Sequence, residues 1–441
     1  MTELIDDQVV APGPDHEASR SDNLGRLAAI GASLLLVVKA PGFSLTPVGA
    51  LIGAPLAPVT IPVLLKANRR FRMLVVLLPL AVLSGLATMA FSISKGIEPP
   101  SLFNAASVVV WAASLLLLPA LGTYAALHLG LPRTLATAGL VALLIGGASG
   151  VIVSWKGDVG IYAVIVGLAL TYRLNPLFGR AVLVFSIAAC GVSDARSQAI
   201  FSIFALAATF WPAGGAKSVR EVRSVVATVI IGIAAVRFIY FLIERGVLGE
   251  EAAQRTVDQA ARGVNPLIGA RVEWSAAGAV LNDSPLGYGI SVSPPNGTKL
   301  DALSAVHSVG GDYTAPYFTE SVLGDRPDFH SSFIDLWFHF GLLGVAVSAA
   351  IVWILLTAIP RALRADGMMR ALMVYTLTVA VWDFFFSPMA NIDRLSTGLV
   401  TAAVLGASVV VGGATSSAPT DPPPRPHGAR PPRRRRAHLS R

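Results

Sequence analysis

Charge and cysteine are what this 441-residue chain has least of. Only 14% of its residues are Asp, Glu, Lys or Arg, whereas a water-soluble globular protein carries roughly 25%. With 54% hydrophobic residues and a mean hydropathy of +0.65, this excludes a soluble enzyme. A single cysteine, Cys190, excludes an intramolecular disulfide and a cysteine-based metal site, and its apolar surroundings mark it as buried filler. No His-Glu-x-x-His motif and no Walker loop is present, so the reading includes no metal and no cofactor. Residues 1–23 are acidic (Glu3, Asp6, Asp7, Asp15, Glu17, Asp22) and lack the basic-then-apolar layout of a signal peptide. They read as a disordered cytoplasmic arm.

What the chain has is long apolar runs. They fall near 24–42, 46–65, 73–93, 103–125, 134–154, 158–173, 180–194, 197–213, 224–243, 331–359, 369–387 and 395–413. A hydrocarbon core of about 30 Å takes roughly 20 apolar residues per helix. The pattern predicts an all-α polytopic membrane protein with about 12 transmembrane helices, about nine in residues 24–243 and about three in 331–413. Orientation follows from the basic residues, which concentrate in short cytoplasmic loops. With an inside N-terminus, the inside connections hold Lys66, Arg69, Arg70 and Arg72, then Arg133, Arg173 and Arg180, then Lys217, Arg220 and Arg223, and last Arg361, Arg364 and Arg370. The outside connections hold only Lys95, Lys156, Arg196 and Arg394. Residues 414–441 form a Pro-rich tail with Arg425, Arg430, Arg433, Arg434, Arg435, Arg436 and Arg441. It reads as disordered and apposed to an anionic cytoplasmic leaflet rather than bound to nucleic acid. These features place the protein in the cytoplasmic (inner) membrane, with membrane lipids as partners and both termini cytoplasmic.

One connection breaks the rule of short loops. Residues 244–330 are polar, rich in Gly and Pro, and predicted to lie outside as an ordered cap. Three groups of residues at this outer face are candidates for chemistry. Asp194-Ala195-Arg196 sits between two apolar runs, where a guanidinium is costly unless paired or facing water; an Asp194–Arg196 surface pair is the plain alternative. Arg271 and Trp274 are three apart and would share one helix face, with Pro285-Leu286-Gly287-Tyr288-Gly289 as a following turn; an ordinary amphipathic helix and loop is the alternative there. His330-Ser331-Ser332 follows Asp325 and Asp328 at the mouth of a run. A histidine there titrates in the range where a general base is useful, though Ser331 or Ser332 could simply cap a helix beside an interfacial histidine.

His330-Ser331, nine residues, Gly341, two residues, Gly344 resembles the signature of the O-antigen ligase/polymerase family of bacterial envelope enzymes. Arg271…Trp274…Pro285-Leu286-Gly287-Tyr288-Gly289 is similar to the family's Arg-x-x-x-Trp and Pro-Leu-Gly-x-Gly segment, with the tryptophan one position early. Asp194-Ala195-Arg196-Ser197 stands where the family shows Ser-Arg and a small residue; the arginine matches and the preceding serine does not. The likeness spans residues 180–360.

The resemblance implies a metal-independent, inverting, GT-C-like glycosyltransferase. It would move a glycan from a polyprenyl-diphosphate carrier to a glycan or lipid acceptor hydroxyl. His330 would be the base, Arg196 and Arg271 would hold the diphosphate as bidentate donors, and Asp194, Trp274, Asp328, Ser331 and Asp335 would support them. Asp335 lies five residues after His330, about 140° round a helix, which argues against direct contact. A flippase or chain-length regulator would be the partner protein. The alternative function is a secondary transporter or flippase for a polysaccharide precursor. Against it, the apolar runs hold few charges (Asp335, Asp383, Arg237), and no internal repeat or inverted pair of broken helices is visible.

Overall fold

The computed structural model describes residues 14–39, 47–148, 155, 158–193, 195–211, scattered positions between 230 and 247, and 271–415. It is 80% helical, with no strands among the described residues. The first half runs through α1 (Pro14–Leu35), α2 (Val48–Ala67), α3 (Arg72–Ser94), α4 (Leu102–Leu129), α5 (Leu131–Ala148), α6 (Asp158–Thr171), α7 (Pro176–Val192) and α8 (Arg196–Thr209). After residue 270 come α9 (Glu273–Asp283), α10 (Asn296–Ser308), a π-helical turn (Tyr317–Val322), α11 (Ser332–Ala362), α12 (Gly367–Phe386) and α13 (Ile392–Thr415). Ser101 and Asn175 cap α4 and α7, accepting the N–H groups of Asn104 (3.1 Å) and Leu177 (3.0 Å). Prolines inside α2 (Pro55, Pro58, Pro62), α3 (Pro79) and α4 (Pro119) do not end these helices, as expected where packed neighbours satisfy the freed carbonyls.

Among the described residues, five helices are long and apolar enough to cross a membrane: α2, α3 with its preceding turn (Arg69–Ser94), α4, α11 and α12. Four more apolar stretches are shorter: Leu131–Ile145, Val159–Thr171, Pro176–Gly191 and Ser197–Thr209. At about 1.5 Å per residue a 14-residue helix such as α6 reaches about 21 Å, less than the roughly 30 Å of hydrocarbon. In α6 and α8 the apolar run continues past the helix end into a turn. Most of the run at 224–243 and most of 244–270 lie outside the described residues, as do residues 1–13 and 416–441. At the other end, α1 begins at Pro14, so residues 14–23 are helical rather than a disordered arm. Proline is well placed at a first helical position.

The main core gathers around α4, whose Trp111, Leu115, Leu118 and Leu121 are fully buried; α1, α2 and α13 pack on it. α11 lies against α3, while α8 and α13 flank α12. Residues 271–331 build a second core of their own, with Ala276, Val280, Val306, Phe318 and Phe329 closing onto Phe338 of α11.

The junction between the two cores is the Pro285–Gly289 turn. It wedges between α3 and α11: Tyr288 N–H donates to the Phe338 carbonyl (3.2 Å), Ser92 Oγ donates to the Tyr288 carbonyl (2.8 Å), and Trp337 Nε1 donates to the Pro285 carbonyl (2.8 Å). Helix α11 is broken there, because Gly341 adopts φ 63°, ψ −145°. The break leaves carbonyls of the preceding turn open to outside donors, and the turn supplies one. Only glycine fits both partners: a Cβ on Gly341 would lie 2.8 Å from the Leu286 carbonyl oxygen, and one on Gly289 (φ +96) 2.2 Å from the Met89 nitrogen.

Gly341→Ala is therefore expected to destabilise the protein by about 1–3 kcal/mol for the left-handed backbone alone, with the contact to Leu286 adding to it. Thermal unfolding in detergent measures this; an unchanged midpoint would show that the break is not required.

Candidate functional site

Residues 325–331 form a strap leading into α11, and three anchors hold it. Ser331 caps α11 with its Oγ accepting the Ile334 N–H (3.4 Å). Asp335, buried at 2% exposure, accepts the Phe329 N–H through Oδ1 (2.9 Å) and the Met389 N–H through Oδ2 (3.1 Å). Ser332 donates through both N–H (2.9 Å) and Oγ (3.2 Å) to the Ser387 carbonyl. The strap is thereby fastened to the turn between α12 and α13. Asp335 reaches His330 only through this backbone.

The turn has a polar foundation. Ser387 Oγ donates to Asp383 Oδ1 (2.6 Å), and Arg394 pairs with Asp383 (3.1 Å) and donates to Ser387 Oγ (3.3 Å). Beside it, Lys39 pairs with Asp393 (2.9 Å) and donates to Asn391 Oδ1 (3.3 Å), while the Tyr162 hydroxyl donates to Asp393 (2.6 Å).

His330 stands on this strap at φ 53°, a conformation that costs a non-glycine residue about 1–3 kcal/mol. Its backbone N–H donates to Asp328 Oδ1 (3.0 Å), and its Nδ1 lies 3.6 Å from the same oxygen. On the other side Nδ1 is 3.1 Å from the Tyr317 hydroxyl, which itself donates to Glu273 Oε1 (2.8 Å). A phenol has one proton. Given to Glu273, it leaves the Tyr317 oxygen as an acceptor, so Nδ1 carries the ring proton and the Nε2 lone pair is free. Burial and the Glu273 carboxylate push the Tyr317 hydroxyl well above its ordinary range, so it stays a phenol. Burial also raises the Asp328 carboxyl, against the opposing pull of His330 and Arg326.

His330, Tyr317 and Asp328 line a cavity of about 540 Å³ with Asn104, Arg326 and Asn391. Arg326 lies over the Trp111 ring at 4.3 Å, and its Nη1 has no hydrogen-bond partner among the described residues. Desolvation lowers its pKa.

The remaining candidate residues are placed as follows. Arg271 precedes α9 rather than lying on it, but its carbonyl accepts the Trp274 N–H (3.0 Å), and both side chains sit on Phe386. Trp274 stacks at 5.1 Å and 9°, and the Arg271 guanidinium is 5.8 Å from the ring centroid. The Arg271 charge acts on Tyr317 without lining the cavity. Asp194 and the Arg196 side chain lie outside the described residues. The backbone of Arg196 opens α8, which runs antiparallel to α12: Arg370 donates to the Ala208 carbonyl (3.3 Å) and the Trp211 carbonyl (2.6 Å) at one end, and Phe201 meets Trp382 at 5.8 Å further along. The first turn of α8 therefore lies toward the Phe386 end of α12. His339 belongs elsewhere, buried with Nδ1 accepting the Ser291 N–H (3.2 Å).

Tyr317, Glu273 and Arg326 were not candidates from sequence. Tyr317 is 13 residues from His330 and 44 from Glu273, with no motif around it. Compared with known proteins, the chain matches no family model and no curated protein.

Two outcomes follow from this geometry. A carboxyl whose folded pKa is raised binds its proton more tightly in the folded protein, so it removes stability as pH rises through the window from its ordinary value to its raised one. Asp328→Asn is expected to raise the unfolding temperature at pH 7 and to flatten that part of the stability–pH curve; an unaltered curve would contradict the burial of this charge. Tyr317→Phe is expected to release the ring proton of His330 to both nitrogens. Nitrogen-15 spectra of the imidazole should change from one tautomer to a mixture, and retention of a single tautomer would show that Tyr317 does not set it.

Proposed function

We propose that this chain is a multi-pass enzyme of the cytoplasmic membrane that transfers a glycan from a polyprenyl-diphosphate carrier to an acceptor hydroxyl on the outer side, as an O-antigen ligase or polymerase does. The observation that carries this reading is the Glu273–Tyr317–His330 chain, which leaves Nε2 as an open base in a polar cavity at the end of long apolar helices. In full, the reading has about twelve spans, both termini inside and residues 244–330 outside, with membrane lipids around it and a flippase or chain-length regulator as partner.

The chemistry follows from the groups. The acceptor O–H gives its proton to His330 Nε2 as its oxygen forms a bond to the anomeric carbon. The bond from that carbon to the diphosphate oxygen breaks, and its electron pair leaves with the carrier. One displacement inverts the anomeric configuration. Growing charge on the diphosphate calls for arginine forks, the role given to Arg271 and Arg196. Arg271 lies over the Phe386 ring, whose face favours a cation, and Trp274 stacks on that same ring. Asp328, Ser331 and Asp335 position the base, and Asp194 would support Arg196.

Purified protein incubated with a polyprenyl-diphosphate oligosaccharide tests the reading. Release of carrier diphosphate that depends on acceptor is expected. A transporter would move the lipid and release nothing, which would overturn it. His330→Ala is expected to lower release by about 10²–10⁴-fold, the usual contribution of a general base, with Arg271→Ala also strongly impaired and both variants inserted normally. Wild-type rates from either would remove that residue from the mechanism.

A further inference from the structure

The His330 cavity has a larger neighbour. A cleft of about 970 Å³ is walled by the end of α3 and the residues after it (Phe91, Lys95, Glu98), by Asp283 and the Pro285–Tyr288 turn, and by the start of α10 (Asn296, Lys299). Asp325 lines both spaces, and its side chain is exposed between them.

Three features say what this cleft suits. Its walls are preformed: the turn is gripped by α3 and α11, and the Asp283 carboxylate accepts from both the Tyr288 hydroxyl and Thr298 Oγ1 (2.7 Å to the latter). Its free groups are of both kinds. The side chains of Glu98, Asn296, Lys299 and Asp325 have no hydrogen-bond or ion-pair partner among the described residues, so ammonium and amide donors stand beside carboxylate acceptors. A phosphate would prefer donors alone and an acyl chain neither; a polyol, each of whose hydroxyls both donates and accepts, matches the mixture. Its size lies near the top of the roughly 300–1,000 Å³ range for small-molecule pockets, whereas the His330 cavity has little more than half that volume.

We propose that this cleft binds the glycan that accepts the transferred sugar, with its terminal hydroxyl led past Asp325 to His330. The inference rests on the transferase reading for its direction of use, but binding of a saccharide in the cleft stands apart from turnover.

Cysteine protection separates the two. Cys190 is 1% exposed and the wild-type protein is expected not to react with maleimide, so Asn296→Cys gives a single reactive thiol inside the cleft. Leu300→Cys, at a position 67% exposed and off the cleft wall, is the control; Lys299→Cys replaces Asn296→Cys should the latter fold poorly. The probe is the oligosaccharide freed by mild acid from the cells' own polyprenyl-diphosphate pool. Modification of the cleft thiol in Asn296→Cys is expected to slow about tenfold at a probe concentration ten times its Kd, with the thiol of the Leu300→Cys control unaffected. Equal rates in Asn296→Cys with and without probe, or equal slowing in both variants, would overturn the cleft. Carrier release by the wild-type protein without protection of the cleft thiol would keep the transferase reading and discard the cleft. Protection without carrier release would keep a saccharide-binding cleft and discard transfer.

Discussion

The carboxylate of Asp335 joins two pieces of chain that sequence keeps 60 residues apart, Phe329 and Met389, by accepting a backbone N–H from each. Each such hydrogen bond contributes roughly 0.5–1.5 kcal/mol net, and a buried carboxyl left without partners would cost more than that. Everything at the site leans on this clasp. It fixes the residue before His330, which lets His330 keep a left-handed backbone that an L side chain otherwise avoids. It also sets the α12–α13 turn against the strap, so that Asn391 and His330 face one cavity.

Below the clasp, charges are buried in pairs rather than singly. Arg394 with Asp383 and Lys39 with Asp393 tie α12, α13 and the segment after α1 together at one end of the bundle, and Tyr162 brings in α6. Buried ion pairs add little net stability, since desolvation offsets their attraction, but a wrong arrangement would strand a charge. Their effect is to make one packing of these helix ends far better than its neighbours. These pairs lie directly beneath the strap.

Some of this was readable in the chain. His330, Ser331, Gly341 and Gly344 stood out through a resemblance to a family signature, whereas the helical angle drawn from His330 to Asp335 does not apply, because α11 begins at Ser332 and His330 precedes it. What Gly341 does was not readable: it breaks α11 so that Pro285–Gly289 can enter, and that depends on α3 lying alongside. The pairing of Arg271 with Trp274 was read as two residues on one helix face, yet α9 starts at Glu273 and the pair meets on Phe386, more than 100 residues later in the chain. Hydropathy also did not register where hydrogen bonding stops: in α6 and α8 the apolar runs continue into the turns after Thr171 and Thr209.

Composition and periodicity alone determined that the chain is helical, apolar and punctuated by glycine and capping residues, because helix formation and hydropathy depend on neighbours within about four positions. Tertiary structure alone decided which side chains meet the imidazole. The Glu273–Tyr317–His330 chain, the tautomer it imposes and the two cavities that share Asp325 arise from segments brought together across dozens of residues. No local pattern encodes such contacts, because each residue's part depends on where another segment's backbone comes to rest.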